Sequence, residues 1–536
     1  MKIGDFVKFA ARAAPDRLAL ITDDVRYTFQ EIYGFCNSLA NGMVQMNIQK
    51  GDRVAILYRN GHRIVISLFG VPRMGAITVP LNYMMSKTEL AYCLNDCAPK
   101  VLMYGPEYED IIEFLTEECK SIDYFISPDE FERIITSYSK EGPIGMDGKR
   151  IKISNKDTLY IMYTGGTTGF PKGVMLSHKN ITSTMASTGG RMMSDMGQYS
   201  EEKRLKILKR MEREFSIFMT DLPIFHGAAM YTLIVSYYAQ STFVTHKKFD
   251  PVNTFKTIEK EKVNTLEVVP TVLIRLLDAY DPKYDISSLE TIIYGAAAID
   301  PTTLKKALEV FKDVEFSQVF GMTETAIPIT TLTSDDHDMI RDKKYNYLLR
   351  SAGKPIAGVI VKIVNELRDE LPIGEIGEIA VHGDGIMQGY WKLEEKTKSV
   401  IDNDGWFYTG DMGKLDENGY LYIVDRAKDM IVSGGENIYP AEVENAIYRH
   451  PGVQLCAVIG IPDEKWGEAV CAIIVPREGY EITGEEIIHL CKEHIASYKK
   501  PKRVIFTKSL PMSPQGKILK RKLREKYWKG KERKII

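Results

Sequence analysis

The densest concentration of phosphate-binding chemistry in the 536-residue chain is Tyr163 to Gly173, YTGGTTGFPKG. Glycines let successive backbone N–H groups turn toward one anion without a Cβ in the way, and threonine hydroxyls add donors. Lys172 supplies a point charge for phosphate oxygens. A plain β-turn accounts for one or two glycines, not for this many donors ending in Pro-Lys-Gly. A Walker-type loop fails on spacing: Pro171 stands where its second glycine belongs, and Gly173 follows the lysine. The next run, VMLSH, reads as a strand, so no helix N-terminus receives the phosphate there. A second decoy, GDGIMQG at 383–389, is one residue off the dinucleotide fingerprint and precedes YWKLEEKT, a poor phosphate-capping helix. It reads as a loop, and nicotinamide chemistry is disfavoured. The other reactive groups stand singly: His226 in LPIFHG, Glu324 in QVFGMTET, Asp411 in YTGD and Lys517 in SPQGKILKRK. Taken alone, such a histidine is more often a satisfied core side chain and such an aspartate a turn residue. Lys517 is one of ten Lys or Arg in the tail 516–536, which by itself reads as a solvated helix with a frayed end.

Groups this far apart act together only if a fold carries them to one place. The runs VAILY (54–58), AITVPL (76–81), VLMYG (101–105), TLYIMYT (158–164), STFVTH (241–246), TLEVVP (265–270) and TIIYGA (291–296) read as buried strands. Apolar residues at helical spacing occupy 62–73, 88–96, 251–262 and 301–312. That alternation predicts α/β architecture with mainly parallel sheets. From about 350 the strands shorten and turns such as Asp404-Gly405 and Asn418-Gly419 become frequent, so a β-rich lobe is expected over about 350–425. From about 430 AEVENAIYRH, CAVIGIP, AVCAIIVP and EEIIHLCKEHI form a separate pattern, the size of a small α+β domain. The charged segment Asp425 to Asp429 marks the expected boundary, giving a large N-terminal domain (1–427) and a small C-terminal one (428–536).

Composition narrows the class. Hydrophobic residues at 44% and charged ones at 26% are ordinary for a folded chain, which excludes a largely disordered protein. A formal charge of −2 gives no bias toward nucleic acid. Seven cysteines without a C-x-x-C pair argue against disulfide frameworks and zinc ribbons and fit a reducing compartment. The N-terminal segment carries charges throughout and lacks a signal-peptide core, and no apolar run approaches the ~20 residues that span a bilayer. A cytoplasmic protein without a transmembrane segment is expected.

YTGGTTGFPKG resembles the phosphate-binding signature of the adenylate-forming superfamily: acyl- and aryl-CoA synthetases, firefly luciferase and peptide adenylation domains. The resemblance covers nearly the whole chain, from APDRLAL and YTFQEI to the C-terminal Gly516-Lys517, with six or more motifs in the family's order. It implies that Thr164, Gly165, Gly166, Thr167, Thr168, Gly169 and Lys172 bind the ATP phosphates. LPIFHG matches the segment whose histidine, here His226, lines the acyl pocket, and Gly295, Ala296 and Ala297 match the loop that packs on adenine. In FGMTE, Phe320 would stack on adenine within Phe320-Gly321-Met322, Thr323 would bond phosphate or carboxylate, and Glu324 would hold Mg2+. Asp411 and Arg426 correspond to the ribose contacts, and Ser433, Gly434, Gly435 and Glu436 to the segment lining the CoA pantetheine tunnel. Lys428 stands at the family's hinge and Lys517 at its C-terminal catalytic lysine. Two departures, Gly165 for the common Ser and Phe320 for the common Tyr, each remove one hydroxyl and leave adenylation possible.

The resemblance implies a two-step acid–thiol ligase. A carboxylate acylates poorly because its leaving group would be oxide; attack on the α-phosphorus of ATP gives an acyl-adenylate and expels pyrophosphate, with Mg2+, Lys172 and Lys517 offsetting the repulsion between anions. The CoA thiol then takes the acyl group. Lys517 and Gly435 fall in one small domain and serve different steps, so the C-terminal domain is expected to rotate about Lys428. A fatty acid is the favoured substrate, with an aryl acid, or an adenylation enzyme loading a carrier protein, as alternatives. The region 183–220 is Met-rich and 201–214 reads as a solvent-facing helix. A homodimer is left open.

Overall fold

A computed structural model describes residues 2–164, 171–185, 216–297, 299–426, 429–433, 436–464, 466–513 and 518–529. Four sheets organise the chain. The nine-stranded sheet has the spatial order Lys354–Pro355, Ile327–Leu332, Glu315–Met322, Thr291–Gly295, Thr265–Val268, Ile217–Met219, Thr242–Val244, Leu18–Ile21, Arg26–Thr28. The seven-stranded sheet runs Gly389–Tyr390, Lys172–Ser177, Thr158–Thr164, Ile77–Pro80, Arg53–Leu57, Val101–Tyr104, Tyr124–Ile126. The interior pairs of both are parallel and the edge pairs antiparallel, except that Val101–Tyr104 pairs in parallel with the edge strand Tyr124–Ile126. Their central strands are apolar on both faces because helices cover them, as in Ile77–Pro80 and Val101–Tyr104, where every residue is buried.

Local chemistry sets the helix starts. Thr28 with Glu31, Ser86 with Glu89, and Thr483 with Glu486 form reciprocal capping boxes. Proline opens the helices Pro128–Ser137, Pro251–Glu261 and Pro301–Val310, where its missing N–H is no loss.

Strands Ile360–Val364, Gly377–His382, Phe407–Leu415 and Leu421–Arg426 form an antiparallel four-stranded sheet, matching the change of texture seen in the sequence. The last sheet holds Glu436–Ile438, Ile431–Ser433, Gly467–Pro476 and Val453–Asp463, with Arg503–Phe506 added in parallel to Gly467–Pro476. Arg477 of this part reaches Asp278 of the first at 3.4 Å.

The segment 383–388 is the loop that its sequence suggests, and the chain leaves it as a strand. Gly389–Tyr390 adds an antiparallel edge strand to Lys172–Ser177, with Tyr390 opposite Val174. The backbone hydrogen bonds of that edge pair residues distant in sequence, which no local pattern announces. The expected helix at 201–214 lies outside the described residues.

Candidate functional site

Thr158–Thr164 and Lys172–Ser177 form a hairpin in which Thr164 faces Lys172, so both ends of the Gly-Thr segment are held at one spot. Gly165 to Gly169 lie outside the described residues. Tyr163 anchors the approach by donating its hydroxyl to Asp96 at 2.6 Å. Gly173 is required by crowding, since a Cβ there would fall 2.7 Å from Ile161 and 3.3 Å from Trp391.

Glu324 sits in the short turn Thr323–Thr325 that follows strand Glu315–Met322. The hydroxyl of Thr325 donates toward the carbonyls of Met322 and Ile327, at 3.1 and 2.9 Å, and the chain leaves through two left-handed residues, Ala326 (φ 50°) and Ile327 (φ 89°). Positive φ in a β-branched residue stores strain of about 1–3 kcal/mol. It drives the Ile327 side chain over Gly227, where a Cβ would lie 2.6 Å from Ile327 Cδ1. Below this contact is a small recess lined by Met162, Leu176, Gly227, Met230, Thr323 and Ile327 among others, with no charged side chain in its described lining.

Lys172 and Glu324 are brought together by a residue that the sequence reading passed over. Tyr390 donates its hydroxyl to Glu324 Oε1 at 3.1 Å, and Lys172 Nζ lies 5.5 Å from the Tyr390 ring centroid. Met387 N–H donates to the Glu324 carbonyl and Trp391 N–H to that of Gly173, both at 2.8 Å. Burial pulls the Lys172 ammonium below its ordinary pKa, helped by Lys396 and opposed by Glu324. The Tyr390 phenol is pushed up by burial and by the Glu324 charge, so it stays a donor.

His226 caps the helix Gly227–Tyr238, its Nδ1 accepting from Ala228 N–H at 3.4 Å, and the next residue, Gly227, lines the apolar cavity. Asn60, also missed, pins the preceding loop: its amide donates to the Leu222 carbonyl and its Oδ1 accepts from Ile224 N–H, both at 2.9 Å. Those contacts span more than 160 residues of sequence, so only the fold reveals them.

Gly295 ends its strand against Val319, whose carbonyl oxygen would sit 2.3 Å from a Cβ, leaving Gly295, Ala296 and Ala297 half-buried at the strand end. Gly321 is tighter still against the Ile327 carbonyl, and Met322 packs with Phe320 on the core of the four-stranded sheet. On that sheet Asp411 is 5% exposed, and its backbone is in register with that of Arg426 on the neighbouring strand. Thr409 accepts the Asp411 N–H at 3.1 Å, and Glu378, a third residue missed in the sequence, accepts the Gly410 N–H at 2.8 Å. Burial raises the Glu378 pKa, the Gly410 N–H opposes that, and the Asp411 charge adds to it.

Ser433 pairs with Glu436 in the last sheet, and Glu436 is exposed. Gly434, Gly435, Lys428 and Lys517 lie outside the described residues. The helix Lys520–Trp528 that follows Lys517 is tied down by Lys520 to Glu444 at 2.8 Å.

Residues 7–391 match the model of the AMP-binding enzyme family and residues 442–517 that of the AMP-binding enzyme C-terminal domain. The chain is 34% identical over 533 residues to a feruloyl-CoA synthase of an Amycolatopsis species, covering 98% of this chain and 99% of the relative. It is 33% identical to a long-chain-fatty-acid–CoA ligase of Mycobacterium tuberculosis, over 98% of both chains. The ATP-bound crystal structure of MatB from Rhodopseudomonas palustris is similar with a TM-score of 0.83 and 29% identity, over 99% of this chain and 100% of that one. The chain therefore belongs to the AMP-binding enzyme family.

Proposed function

We propose that the protein is an ATP-dependent, AMP-forming acid–CoA ligase whose substrate is an apolar carboxylic acid, a fatty acid first among them. The observation that carries this reading is the meeting of Lys172, Glu324 and Tyr390 beside an uncharged cavity that Thr323 lines. One side of Thr323 offers cationic and hydrogen-bonding groups for a triphosphate; the other offers an oily recess for the acyl part. The absence of charge in the described lining argues against a second carboxylate on the acid, because a buried anion there would have no partner.

Among the described residues no group of three or more His, Cys, Asp or Glu could hold a metal ion by itself. One carboxylate, Glu324, next to a phosphate site suits Mg2+, which keeps water and phosphate oxygens as its other ligands. When bound it would offset the phosphate charge as the carboxylate approaches. Lys172 adds a fixed cation, and Tyr390 orients Glu324 through its hydrogen bond. Asp411 and Arg426 hold the ribose, Gly295 to Ala297 and Phe320 the adenine, and Lys517 bridges carboxylate and α-phosphate. Thiol attack follows after the C-terminal part, 428–536, rotates about Lys428 and presents Ser433 to Glu436 to the CoA arm. All seven cysteines are unpaired and buried, which supports a reducing, cytoplasmic setting. No helix among the described residues is long and apolar enough to cross a membrane.

The test is ATP–pyrophosphate exchange over a panel of carboxylic acids with purified protein, followed by detection of the CoA thioester. Acid-dependent exchange and AMP release are expected; ADP with orthophosphate would end the reading. Lys517→Ala should slow adenylation by ~10²–10³ while sparing thioester formation from supplied acyl-adenylate.

A further inference from the structure

A second recess lies where strand Thr265–Val268 and the loop leading to His226 meet. It is a small recess lined by Asp221, Leu222, Phe249, Glu267, Val268 and Val272 among others. Glu267 is 8% exposed. Its Oε2 is buried without a hydrogen-bond partner among the described residues, and no other residue lining this recess carries such an atom.

The local donors are already committed. The Thr220 hydroxyl donates to the Glu267 main-chain carbonyl at 3.2 Å and accepts from Leu222 N–H at 3.2 Å. The hydroxyls near the carboxyl are those of Thr232, on the helix Gly227–Tyr238, and of Thr220, whose single hydrogen is shared with that main-chain carbonyl. Asp221, the other acid of the recess, is occupied: it accepts from His246 N–H at 2.9 Å and faces its Nδ1 at 3.1 Å. A buried carboxyl with one oxygen unserved is an expensive feature to retain in a core, and the partner that would satisfy it is a ligand group.

The position relates the carboxyl to the acyl site. Glu267 pairs with Ile293, two residues short of Gly295, so it lies roughly 7 Å down the sheet from the strand end. Leu222 of the same recess is four residues before His226. A group carried on the acyl tail, beyond the reacting carboxylate, is at the right depth to meet it.

We propose that Glu267 is a specificity-determining residue that hydrogen-bonds a hydroxyl, phenolic or aliphatic, on the distal part of the carboxylic acid substrate. This rests on the ligase reading above. Burial raises the Glu267 carboxyl to about 7, with the threonine hydroxyls opposing the rise. A group near its midpoint can donate to or accept from a neutral hydroxyl, whereas an ammonium would require a second buried charge.

The experiment uses the full chain and measures pyrophosphate release for two matched pairs: 3-(4-hydroxyphenyl)propanoate against 3-phenylpropanoate, and 8-hydroxyoctanoate against octanoate. In the wild type the hydroxylated member of at least one pair should have a kcat/KM tenfold or more above its partner. Glu267→Leu should reverse that ratio while retaining turnover of the unsubstituted acid, and Glu267→Gln should keep part of the preference. A ratio of one or below in both wild-type pairs overturns the proposal even if the leucine variant does not fold. So does a preference that Glu267→Leu leaves unchanged. Turnover of unsubstituted acids alone removes only this inference; no pyrophosphate from any acid removes the ligase reading and the inference with it.

Discussion

Two carboxylates of the candidate site, the half-buried Glu324 and the buried Asp411, live in opposite surroundings. Glu324 has Tyr390 donating to it and Lys172 beside the same ring, so positive character converges on it. Asp411, 5% exposed, has Glu378 as its neighbour, and that carboxyl is pushed up partly by the Asp411 charge. The first environment suits phosphate oxygens and the cation that accompanies them. The second repels further anions and suits neutral hydroxyls that donate, as a ribose diol does. In the proposed reaction the contrast would separate a group that meets developing charge from one that grips an unreacting part of the nucleotide.

The sharpest way to break the comparison is Glu324→Gln, which keeps shape and removes charge. Adenylation should fall by ~10²–10³ in kcat with a smaller change in nucleotide KM, as measured by ATP–pyrophosphate exchange. Asp411→Asn should do the reverse: roughly a 10–100-fold rise in KM for ATP, from losing a charge-assisted pair of hydrogen bonds, with kcat little changed. If both variants lose the same quantity, the division of roles is wrong. The smallest effect concerns stability. A carboxyl whose pKa is raised in the fold binds its proton more tightly there than when unfolded, so stability falls as pH rises above the ordinary glutamate value. Glu378→Gln removes that dependence. Denaturant titrations from pH 4 upward should show the wild type losing ground against the variant until Glu378 is ionised in the fold; parallel curves would mean that the fold does not raise the Glu378 pKa.

The parts of the site that announced themselves were those whose information is local. The Gly-Thr segment ending at Lys172, the strand ends at Gly295 and Thr323, and the Gly-Asp turn at Asp411 each combine residues a few positions apart. Tyr390 and Glu378 carried no such mark. Tyr390 lies beside the decoy 383–389, and its worth comes from adding an edge strand to Lys172–Ser177, which aims its hydroxyl at Glu324 66 residues away. His226 was read for its ring alone, yet its place is fixed by capping a helix and by Asn60 holding the loop before it.

The sequence alone determined the α/β alternation and the β-rich stretch after 350, and it marked the Gly-Thr segment as the candidate phosphate loop, because periodicity and turn chemistry act between neighbours. Tertiary structure decided what surrounds each reactive group: the strain at Ile327 that roofs the apolar cavity, the tyrosine on Glu324, the unserved oxygen of Glu267. Desolvation and hydrogen-bond satisfaction depend on which distant segments pack together, and that is settled only when the chain has folded.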